Sequence, residues 1–153
     1  MNERNVPATV FLSYASENED VAERLERDLR RHGITPWRAK NKIASGADWE
    51  EQIREVIRSS SAVVCLASFH ARTSKVVRGE LQVTKMYGKR IRFAWIAGDT
   101  WADCVPIEYI YMQYTDMRGE QYPVGLHRLI ADLEAPAQIA APEAAPRPPN
   151  HDD

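Results

Sequence analysis

The chain has 153 residues, enough for one domain with a substantial core and too few for two full ones. Its 20 Lys and Arg against 22 Asp and Glu leave a formal net charge of -2, which gives no general attraction to nucleic acid or anionic lipid. Two cysteines, Cys65 and Cys104, make no disulfide or metal pattern, and neither a signal-like start nor a membrane-length apolar run is present; a reducing, cytoplasmic setting without membrane insertion is the expectation.

Strands and helices alternate along the sequence. "TVFLSYA" (9–15) reads as an apolar strand. The helix after it has Ser16 and Glu19 in capping-box spacing, a stripe of Val21, Ala22, Leu25 and Leu29, and Gly33 as its stop. "ITPW" (34–37) is a short strand, and Pro36 places it at a sheet edge. The polar, basic "RAKNKIASGA" (38–47) is a loop. A helix starts at Asp48, with Trp49, Ile53, Val56 and Ile57 at amphipathic spacing. "AVVCLAS" (62–68) is continuously apolar, as in a strand buried on both faces of a parallel sheet. "FHARTSK" is read as a loop, and Ser74 as the cap of the next helix. "IRFAWIA" (91–97) and "YIYMQYTDM" (109–117) are further strands, and "VGLHRLIADL" (124–133) is the closing helix. From residue 135 the chain turns Ala/Pro-rich and reads as a disordered tail or linker that could tether a further module.

This order implies an α/β fold: a doubly wound, flavodoxin-like, five-stranded parallel sheet with helices on both faces, spanning residues 8–134. Ligands of such sheets bind outside the carboxyl ends of the strands, here between the first and third.

One residue breaks the pattern. On the helix after Ser74, Val76, Val83 and Tyr87 share a side, with Val77, Leu81 and Thr84 beside them, while Lys75, Arg78, Lys85 and Lys89 lie opposite. Glu80 falls within the apolar arc. A carboxylate there costs several kcal/mol (roughly 3–5 if left uncompensated) unless it is paired, protonated or opens onto a cleft. By residues alone it is either a structural ion-pair partner or a functional group. The neighbouring candidates are equally two-sided: Ser16 as cap or ligand contact, Tyr14 as core or exposed ring, Trp49 as core anchor or stacking platform, and Lys42 as solvated charge or phosphate contact.

Read together, "VFLSYAS", "GITPW", "KIASGADW", "AVVCLAS" and "SKVVRGEL" resemble, in order and spacing, the TIR (Toll/interleukin-1 receptor) domain, especially its bacterial form. That family contains both enzymes and non-catalytic TIR–TIR scaffolds. In its enzymes a glutamate in an "S-x-W-V-x-x-E-L" stretch cleaves NAD+ at the nicotinamide–ribose bond. The resemblance places that catalytic residue at Glu80, with Ser74 and Leu81 also matching and Val76 in place of the tryptophan. It implies NAD+ as substrate with no further cofactor, for which Tyr14, Ser16, Lys42, Trp49 and Ser74 are the candidate contacts; the histidines have no metal-ligand spacing. It also implies activation by self-association and a role in anti-phage immunity or immune signalling. The chain has neither a P-loop nor a G-x-G-x-x-G pattern, so the dinucleotide-fingerprint mode of NAD binding does not apply. Glu80 is expected to line the largest cleft, near Tyr14, Ser16 and Ser74.

Overall fold

A computed structural model of the chain describes residues 8–38 and 47–135. Five strands, β1 (Thr9–Ser13), β2 (Thr35–Arg38), β3 (Ala62–Ala67), β4 (Arg90–Trp95) and β5 (Tyr114–Asp116), form one sheet in the order β2-β1-β3-β4-β5. All pairs are parallel, with Leu12 opposite Val64 and Ser13 opposite Cys65 across the central β1–β3 junction. The chain winds outward in both directions from that junction, as the sequence implies.

The helices are α1 (Glu19–Arg31), α2 (Ala47–Ser59), the short α3 (Phe69–Thr73), α4 (Lys75–Met86) and α5 (Tyr122–Glu134). Alternation along each strand divides the core into two layers. Val10 and Leu12 of β1 with Val64 and Leu66 of β3 pack against Leu25 and Leu29 of α1 and Leu129, Ile130 and Leu133 of α5. Phe11 and Val63 point the other way, against Ile53 and Ile57 of α2, and Cys65 and Phe93 join Val77 and Leu81 of α4 on that side.

α1 ends as its sequence predicts. Gly33 adopts φ 81°, its N–H reaches the Arg30 carbonyl at 3.0 Å and the Ile34 N–H reaches that of Leu29 at 3.0 Å. A positive φ is where a glycine stop is required.

Several boundaries differ from the sequence reading. Ser16 does not cap α1; it begins a 3-10 turn through Asn18, whose N–H bonds the Ala15 carbonyl at 2.8 Å, and α1 follows without a side-chain cap. Residues 69–73 form a helical turn rather than a loop, because the Ser68 hydroxyl accepts the Ala71 N–H at 3.0 Å. The expected strand over 109–117 shrinks to Tyr114–Asp116, since Ile107–Tyr109 make a 3-10 turn before it. Arg38 ends β2 instead of opening the loop. Lys42 and the rest of residues 39–46, and residues 136–153, lie outside the described residues. Among the described residues no helix is long and apolar enough to cross a membrane.

Candidate active site

α4 begins where Ser74 accepts the Val77 N–H at 3.1 Å. That cap fixes the phase of the helix, which then buries Val77, Glu80, Leu81 and Thr84. Glu80 is only 7% exposed, so the one acidic residue of this face does turn inward as the periodicity predicts. Its carboxylate accepts the Ser13 hydroxyl at 2.7 Å through Oε1, and its carbonyl accepts the Thr84 hydroxyl at 2.7 Å.

Ser13 is the last residue of β1 and is fully buried. Its register partner, Cys65 of β3, is also buried, and its thiol is held far above the ordinary range, first by burial and then by the negative charge of Glu80. A neutral thiol and a hydroxyl donor thus face the carboxylate at the carboxyl end of β1, where the topology expects a ligand. The hydroxyl donates to the carboxylate, and the apolar surroundings strengthen whatever field a charge there exerts.

Glu80 forms part of the wall of a groove of about 350 Å³ between α2 and α4. Trp49, Glu50, Ile53 and Arg54 line it from α2; Lys75, Val76, Gly79 and Val83 line it from α4. Arg54 is held by Glu50 at 2.9 Å. A carboxylate at the wall of an open groove, an indole at its margin and cations at the rim suit a polar ligand with an aromatic ring and a site of developing positive charge.

The structure brings Glu80 and Trp49 together. Ser74 stands at the start of the same helix, engaged as its cap and not on the groove. Tyr14 and Ser16 are elsewhere. Tyr14 shares strand parity with Val10 and Leu12, so its ring packs on the α1–α5 layer. Its hydroxyl donates to Glu19 at 3.0 Å and accepts from Arg38 at 3.1 Å, and burial, the larger cause, together with Glu19 raises its pKa. Ser16 is exposed on the 3-10 turn. The larger cleft, about 480 Å³, lies beside β4 and β5 and is lined by Arg92, Tyr111, Tyr114 and Asp132 among others, so Glu80 does not line the largest one. Sequence reasoning missed Ser13. The signal was present: Ser13 shares parity with Phe11, on the face that α2 and α4 cover.

A family model of the TIR domain matches residues 10–130. Among solved structures the fold is similar to the TIR domain of the Toll-related receptor TRR-2 from Hydra magnipapillata, at 22% identity and a TM-score of 0.69 over 82% of this chain and 98% of that one. A prokaryotic SEFIR domain is 15% identical with a TM-score of 0.65 over 91% of this chain and 99% of that one. The CMP N-glycosidase BcmB from Clostridium botulinum is 15% identical with a TM-score of 0.54 over 79% of this chain and 97% of that one. No curated protein matches the sequence significantly.

Proposed function

The chain belongs to the TIR-domain family, and from that premise we propose that it cleaves the nicotinamide–ribose bond of NAD+, with Glu80 as the catalytic residue. The observation that carries this reading is the buried Glu80 carboxylate, bonded by Ser13 at the carboxyl end of β1 and reached from the α2–α4 groove.

The chemistry needs one carboxylate. Nicotinamide leaves NAD+ as a neutral molecule, taking the electron pair of the C1′–N bond, so no acid has to protonate it. Positive charge then develops on the ribosyl C1′ and ring oxygen. An anion fixed beside that centre in a water-poor wall stabilises it without reorganising. Water attacking C1′ and losing a proton gives ADP-ribose; a nitrogen of the adenine attacking instead gives a cyclic form. Trp49, which lines the same groove, would stack on a ring of the substrate.

Self-association completes the proposal. A constantly active NAD+ hydrolase would drain its cell, and residues 39–46, read from the sequence as part of a loop, connect the edge strand β2 to α2, which carries Trp49. Packing of a neighbour on that loop would set the pose of α2 and so of the groove, in the service of an immune response in the cytoplasm. Concentrated and artificially clustered protein is incubated with NAD+ and the products are resolved by mass. Nicotinamide release whose specific activity rises with clustering is the expected result; activity that is flat across concentration and clustering refutes the assembly step, and no release refutes the reaction.

A second reading, cleavage of another nucleotide's N-glycosidic bond, is favoured by the fold shared with the CMP N-glycosidase. Offering CMP beside NAD+ in the same assay separates the two. A non-catalytic TIR–TIR scaffold predicts that neither is consumed.

A further inference from the structure

We propose that Gly79 is a ligand-approach position: the missing side chain leaves a gap in α4 through which the nicotinamide–ribose end of NAD+ reaches Glu80. The inference rests on the groove being the NAD+ site.

Glycine is among the poorest helix formers, and Gly79 lies well inside α4, away from both ends. Three ordinary reasons for a helical glycine can be tested. A left-handed backbone is excluded, because Gly79 is not among the glycines with positive φ. A helix stop is excluded, because α4 continues to Met86, and the positive-φ glycine beyond its end is Gly88, at 69°. Close packing is excluded among the described residues, because a Cβ built on Gly79 would meet none of them within 4 Å. Gly125 in α5 shows the contrast: there a Cβ would lie 2.4 Å from the Asp116 carbonyl oxygen and 2.6 Å from the Met117 Cγ, so the fold itself demands glycine.

The open space at Gly79 belongs to the groove that Glu80 lines. Val76 and Val83, three residues before and four after, share the face, so the apolar ridge of α4 is interrupted beside the carboxylate. In a packed helix pair the facing helix fills such a notch. Here Trp49 and Ile53 of α2 also line the groove, yet leave the notch empty. Bare helical backbone allows a flat ring and a sugar to come closer to Glu80 than any side chain would permit.

The test sets stability against binding. Gly79→Ala should raise Tm by roughly 2–5 °C, because alanine favours the helix and nothing obstructs its methyl group. The same methyl group should raise the KM for NAD+ about tenfold in the clustered full chain, with kcat changed less than about twofold. NAD+ binding is then measured by saturation-transfer NMR on Glu80→Gln, and on Glu80→Gln combined with Gly79→Leu. Binding by the first and loss in the second supports the assignment. Equal binding by both, an unchanged KM in Gly79→Ala, or a lowered Tm overturns it. Hydrolysis by Glu80→Gln at the wild-type rate defeats the catalytic role of Glu80 and leaves the binding comparison to judge Gly79 alone; failure of Glu80→Gln to bind NAD+ defeats the site and the gap together.

Discussion

Two clefts among the described residues differ in what their charges do. The larger one flanks β4 and the outer strand β5, and there opposite charges meet: Arg92 Nε sits 2.6 Å from Asp132 Oδ2 in an ion pair. Close by, Arg118 donates to both oxygens of Asp116 at 2.9 Å. The smaller groove has a buried carboxylate in its wall whose hydroxyl donor comes from the end of a central strand. Partly exposed ion pairs contribute little to stability and leave no preorganised field for a ligand, whereas a buried carboxylate is costly to keep. Volume therefore favours one cleft and chemistry the other, and the chemistry is the better guide.

The contrast can be broken by substitution. Glu80→Gln keeps the shape and the bond from Ser13 while removing the charge; NAD+ turnover should fall by about 10²-fold or more with the fold intact by circular dichroism. Wild-type turnover in that variant would erase the distinction between the clefts. Ser13→Ala should slow turnover about tenfold, near 1.4 kcal/mol of barrier, by freeing the carboxylate from its donor. If Ser13 acts through Glu80, adding Ser13→Ala to Glu80→Gln should slow it no further, and additive losses would point to a separate effect on folding. On the other side of the comparison, the bonds from Arg118 hold the Asp116 carboxyl below its ordinary value of 3.8. That contribution is present above pH 3.8 and is lost as the pH falls through the lowered value, so Arg118→Gln should reduce Tm more at pH 7 than at pH 3 and leave turnover alone. Smallest of all, Arg92→Gln with Asp132→Asn should change stability by about 0.5 kcal/mol or less, with NAD+ turnover unaltered. A loss of turnover there would move the site to the larger cleft.

Much of the fold was legible because each signal was local and repeated. The continuous apolar run at 62–67 specified a central strand, Pro36 an edge, and the apolar arc from Val76 to Tyr87 the inward turn of Glu80, although the buried face centres on Val77, Leu81 and Thr84 and leaves Val76 exposed. Misreadings arose where a distant group altered a local choice. Ser16 and Glu19 have capping-box spacing, but Glu19 is drawn to Arg38 and Tyr14, which leaves the turn at Ser16–Asn18 to begin the helix. Tyr14 looked adjacent to the site by sequence distance, although strand parity sends it to the opposite layer. Ser13 drew no notice because strand parity gives only the face it shares with Phe11; its role comes from a partner 67 positions away.

Pro36 in β2 has a consequence for crowding. A residue in a strand directs its N–H and C=O to the same side, and the Pro36 carbonyl is taken by Arg30 of α1 at 3.4 Å, on the outward side of the sheet. Proline has no N–H to offer there. A four-residue margin with one donor missing and one acceptor occupied is a poor template for a foreign strand. Copies gathered at high local concentration are then less prone to zip together along the β2 edge, so contacts made between them on that side stay reversible.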